Sequence, residues 1–103
     1  MKILVKNITE NPASLLRKAG YVFQRQEQAE QSFVRVFGQS GYPRFHCYTH
    51  VSGLDLMISL HLDQKKHTYG NETRHHGEYE NTGPVQEEVE RLLKIFHGNA
   101  QVV

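Results

Sequence analysis

A chain of 103 residues with formal net charge +1, 22% charged and 38% hydrophobic residues is long enough for one compact domain and too short for two. The balanced charge gives no overall field toward nucleic acid or membrane, so any anion binding has to be local. A single cysteine, Cys47, excludes an internal disulfide and suits a reducing compartment. No apolar run exceeds that of Ile3 to Val5, too short for a signal-peptide core or a membrane span, so a soluble cytoplasmic protein is expected.

The first predicted element is a short helix over about residues 12–19. Asn11 is placed to accept orphan backbone N–H groups, Pro12 is preset for the first turn, and Leu15, Leu16 and Ala19 follow at helical spacing. Arg17 and Lys18 suit its C-terminal end, and Gly20 is the expected stop. Tyr21 to Gln26 and Ser32 to Phe37 are β-rich runs that read as a hairpin across the polar stretch Glu27 to Gln31. After a turn over Gly38 to Gly41, a strand from Tyr42 to Val51 meets a last strand from Leu54 to Leu62 through Ser52-Gly53.

Taking Ser52-Gly53 as a two-residue turn opposes Val51 to Leu54, Thr49 to Leu56, Cys47 to Ile58 and Phe45 to Leu60 on one apolar face. A four-residue turn at 38–41 sets Val36 against Pro43 and Val34 against Phe45, which brings those valines to the same face. The other face then carries Phe33, Arg35 and Phe37, next Tyr42, Arg44, His46, Tyr48 and His50, and next Asp55, Met57, Ser59, His61 and Asp63. From Asp63 to Gly83 there is no aliphatic side chain, and unstructured loops of about 20 residues inside compact domains are usually functional or disordered. From Pro84 an amphipathic helix presents Val85, Val89, Leu92, Leu93 and Phe96 on one stripe, with Glu87–Arg91 and Glu90–Lys94 pairs on its wet side and Gly98 as its stop. The order α-β-β-β-β-α predicts a single α+β domain over residues 1–103, an antiparallel sheet of three to four strands with both helices on one face.

The stretch Leu15-Leu16-Arg17-Lys18-Ala19-Gly20-Tyr21-Val22-Phe23-Gln24-Arg25-Gln26 resembles the opening helix and first strand of HicA-type toxins, small ribonucleases with a double-stranded-RNA-binding-like fold. The resemblance is confined to about the first quarter of the chain. It implies an α-β-β-β-α fold and a role connected with RNA. In that family a Gly-Ser-His sequence after the first strand supplies the catalytic histidine, whereas Glu27-Gln28-Ala29-Glu30-Gln31-Ser32 stands here.

Seven histidines, six of them between positions 46 and 76, are the unusual feature of the composition. His61-x-Asp63 puts an imidazole and a carboxylate on one strand face, and His46 is expected diagonally across the hairpin, at roughly 7 to 8 Å between Cα atoms, a span one divalent ion can bridge. The first functional expectation is therefore a small non-catalytic protein binding Zn²⁺ or another divalent transition metal through His46, His61 and Asp63. His67, His75, His76 or Glu78 from the long loop would close the shell. The second is an RNA-binding face on which Phe33, Phe37, Tyr42 and Tyr48 stack bases while Arg35 and Arg44, opposed as like charges, take phosphate. The third makes the same aromatic face an interface with a second copy or a small protein partner. No catalytic motif is evident: Cys47 is expected on the core side, and the His50–Asp55 pair has no Ser or Thr nucleophile beside it.

Overall fold

The computed structural model describes residues 1–37, 41–64, 78–79, 83–96 and 98–103. In chain order the elements are β1 (Lys2–Val5), α1 (Pro12–Lys18), β2 (Val22–Glu27), β3 (Glu30–Val36), β4 (Arg44–Ser52), β5 (Asp55–Asp63), β6 (Glu78–Tyr79), α2 (Gly83–Ile95) and β7 (Ala100–Val102). Helix α1 forms as its sequence dictates: the Ser14 amide donates to Asn11 Oδ1 at 2.8 Å, Pro12 opens the first turn, and Gly20 takes φ +92° just beyond the end.

All strand pairs are antiparallel, in the order β2-β3-β4-β5-β1-β7, with the short β6 added to β5. The α+β architecture is the expected one, but the sheet is wider than three to four strands. Besides the short β6, two strands are added beyond β5, where Ile3 faces Ile58, Val5 faces Leu56, and β7 closes against β1. With four and three residues, β1 and β7 are too short to declare themselves by alternation and are held by their neighbours.

The core lies on one face of the sheet. Ile3, Phe33, Cys47, Leu56, Ile58 and Leu60 meet Leu16 and Ala19 of α1 and Val85, Val89 and Leu92 of α2. Both helices therefore cover the same face, and among the described residues no helix covers the other.

Two registers differ from expectation, and they differ in kind. The β4–β5 turn is Gly53-Leu54, with Ser52 opposite Asp55 and glycine at φ +63° in the first turn position, the residue a type II′ turn calls for there. Each β4 residue therefore meets a β5 partner two positions later than expected, Phe45 opposite Leu62 and Cys47 opposite Leu60. A slip of two preserves the faces. The β3–β4 register slips by one: Val36 faces Arg44, Val34 faces His46 and Phe33 faces Cys47. The connection runs from Phe37 to Pro43, whose carbonyl accepts from the Phe37 amide at 3.2 Å. That slip inverts β3, burying Phe33 to 1% exposure and turning Val34 and Val36 to the outer face. An aromatic ring removes more apolar area from water than a valine does, so the interior takes the phenylalanine.

Candidate functional site

The inversion of β3 brings Ser32 onto the outer face, where β4 and β5 present His46 and Asp63. Ser32 Oγ lies 2.8 Å from His46 Nε2. His46 Nδ1 faces Asp63 Oδ2 at 3.4 Å. Arg44 Nε donates to the same carboxylate oxygen at 3.3 Å while its guanidinium stacks 4.5 Å from the centre of the Tyr42 ring. At the other end, Ser32 Oγ donates to Gln24 Oε1 at 2.8 Å. Gln24 is positioned by an irregularity in β2, whose register with β3 shifts between Phe23 and Arg25, and such bulges re-aim single side chains. The result is a chain Gln24–Ser32–His46–Asp63–Arg44 running across four strands.

Ser32 and His46 are buried although they lie on the face opposite the helices. Tyr48, half-buried, packs its ring 4.5 Å from that of His46 and 5.7 Å, edge-on, from that of His61. His61 is the direct cross-strand partner of His46. Burial alone would raise the Asp63 carboxyl, but the hydrogen bond and charge of His46, followed by those of Arg44, more than offset it and hold the carboxyl below the usual carboxylate range. Asp63 is therefore ionised at neutral pH and balances Arg44. A hydroxyl has one proton to give: while Ser32 donates to Gln24, its oxygen accepts from His46 Nε2–H. Turning the Gln24 carboxamide end for end lets its Nε2–H donate to Ser32 and frees the hydroxyl proton for His46 Nε2.

Of the expected metal set, the fold brings His46, His61 and Asp63 together, more closely than the diagonal arrangement did, since His46 and His61 are directly opposed. Both ring nitrogens of His46 are engaged, and among the described residues no three His, Cys, Asp or Glu side chains are grouped to hold an ion. Glu78 pairs with Asp63 in the backbone register, while His67, His75 and His76 lie outside the described residues.

The expected base-stacking face is divided between the two sides of the sheet. Phe33 is in the core, Phe37 packs on Phe45 at 5.0 Å, and Arg35 lies over Phe45 and pairs with Glu88 at 3.3 Å. Arg35 faces Phe45 and not Arg44, so there is no like-charge pair for an anion to relieve. Arg44, Tyr42 and Tyr48 remain together, with Arg44 already held by Asp63. His50 meets Met57, and Asp55 instead accepts from the Asn7 amide at 3.1 Å. Cys47 lies in the core as expected. Burial pushes its thiol up, the hydrogen bond of Tyr21 only partly opposing this, so it is no nucleophile.

Ser32 was invisible to strand alternation because the length of the β3–β4 connection decides which face of β3 it occupies, and Gln24 because the irregularity in β2 decides where it points. Comparison with protein-family models, with curated proteins and with solved structures finds no match. The functional reading therefore rests on the geometry of this face.

Proposed function

We propose that this chain is a small binding protein that works through the outer sheet face, and that its ligand is a small neutral molecule rich in hydrogen-bond acceptors. One observation carries the reading: the face that neither helix covers has, at its centre, a chain of polar side chains linked to one another. This chain lies beside the Tyr48 and His61 rings. The Tyr48 phenol, the Gln24 carboxamide and the His61 imidazole gathered there are groups of the kind that donate to a carbonyl or ether oxygen. Asp63 and Arg44 balance each other, which leaves a polyanion no unspent cation at this point among the described residues.

The test is a titration of ¹⁵N-labelled protein with a panel of small neutral amides and lactams, in parallel with Zn²⁺ and a short single-stranded RNA. Amide shifts centred on Tyr48 and His61 with the neutral panel are expected. Shifts confined to other surfaces, or none with that panel, overturn the proposal. A divalent metal is the second reading, favoured by the direct pairing of His46 with His61, and it requires His46 to release Ser32 or Asp63. Stoichiometric zinc on untagged protein, lost in His61→Ala, selects it.

A further inference from the structure

We propose that Ser32, His46 and Asp63 form an acyl-transfer site, with Ser32 as nucleophile toward a small ester and His46 as its general base. The proposal rests on the outer face being the ligand surface and deepens that reading by naming what happens to a carbonyl bound there.

The order of contacts is what nucleophile activation needs. Ser32 Oγ is 2.8 Å from Nε2 of His46, and the opposite ring nitrogen, Nδ1, faces the Asp63 carboxylate at 3.4 Å. A carboxylate on Nδ1 holds the imidazole in the tautomer whose Nε2 lone pair points at the hydroxyl, and it stabilises the imidazolium that forms when the proton moves. Arg44 and the stacked Tyr42 fix the carboxylate in turn. The three functional side chains come from three adjacent strands, so the sheet itself sets their spacing. Gln24 is the positioning residue: once its carboxamide turns so that its N–H donates to Ser32 Oγ, in place of accepting from it, the hydroxyl proton is directed to His46. Ser32 is one strand in from β2, an edge strand among the described residues. Gln24 beside it sits at the β2 bulge between the exposed Phe23 and Arg25, so it can move without disturbing an interior ladder.

Ser32 Oγ forms a bond to the ester carbonyl carbon, the carbonyl π pair moves onto its oxygen, and the hydroxyl proton passes to His46 Nε2. The pair returns as the carbon–alkoxy bond breaks, the leaving alkoxide takes the proton from Nε2, and Ser32 carries the acyl group. Water then attacks that carbon and gives its proton to His46. The bond to Oγ breaks, Oγ takes the proton back, and the carboxylic acid leaves.

The test uses wild-type protein with a small fluorophosphonate, followed by intact mass and peptide mapping, and with p-nitrophenyl acetate, followed by released nitrophenol. A single adduct on Ser32 is expected. Labelling should be abolished in Ser32→Ala and slowed about 100-fold or more in His46→Gln. Asp63→Asn is expected to slow labelling of protein that circular dichroism shows still folded at the assay temperature, whereas a merely structural role would leave the rate of the folded protein unchanged. No adduct on folded wild-type protein, an adduct elsewhere, or a rate indifferent to His46→Gln overturns the proposal. Shifts at Tyr48 and His61 with the neutral amides but no adduct leave the binding reading standing and remove the acyl transfer. Absence of both removes both.

Discussion

Asp63 shows how much one side chain depends on its neighbours. Its carboxylate meets an imidazole and a guanidinium at once, and together they outweigh the burial that would otherwise keep it protonated. A carboxyl held lower in the folded than in the unfolded state contributes stability that is fully present above the unfolded value, about 3.9, and is lost as pH falls through the lower folded one. Asp63→Asn removes that dependence. Urea denaturation of both proteins at pH 6 and near pH 3 is expected to show the wild type more stable at pH 6, with the gap narrowing in acid. A gap of equal size at both values would mean that His46 and Arg44 do not hold the carboxylate as described.

At the scale of elements, sequence alternation carried the fold as far as its period of two allows. The β4–β5 hairpin was legible because Phe45, Cys47, Ile58 and Leu60 are apolar at every second position. A turn moved by one residue shifts the pairing by two and leaves them on the same face. Strand β3 was not legible, because Phe33 competes with Val34 and Val36 and the choice is made outside the strand, by the span from Phe37 to Pro43. With β3 inverted, the place of Ser32 beside His46 was hidden, while His46, His61 and Asp63 share the outer face as expected because their strands were assigned to the right faces. Two substitutions separate the registers. Phe33→Ala is expected to cost about 3 to 5 kcal/mol, the range for a buried aromatic, and Val36→Ala, at a side chain 46% exposed, to stay within about 0.5 kcal/mol. The opposite order in denaturant midpoints would restore the four-residue turn and return Ser32 to the helix side.

Across the whole molecule, one buried carboxylate joins the layers. Glu88 on α2 is 4% exposed and accepts from Tyr21 Oη at 2.7 Å, from Arg91 Nε and Nη2 at 2.8 Å each, and from Arg35 Nη1 at 3.3 Å. Arg91 also donates to the carbonyl of Ala19 at the end of α1. The expected wet-side partner of Arg91 was Glu87, four residues earlier. The structure pairs it with Glu88, three residues earlier, because the helix turns that position inward. This cluster ties both helices to β3 and to the residue that opens β2, on the side of the sheet opposite Ser32 and His46. It thereby fixes the helical layer on which the outer face is built. Removing one partner of a fully buried ion pair costs about 3 to 5 kcal/mol. Arg35 and Arg91 keep about a third of their side chains in water, so they can be rehydrated, and Glu88→Ala is expected to cost about 2 to 3 kcal/mol. Because the two share one network, Glu88→Ala with Arg91→Ala should cost less than the sum of the single changes. A double-mutant cycle by urea denaturation reads this directly: strict additivity would show that Glu88 and Arg91 act separately, and that α2 is held by its apolar stripe alone.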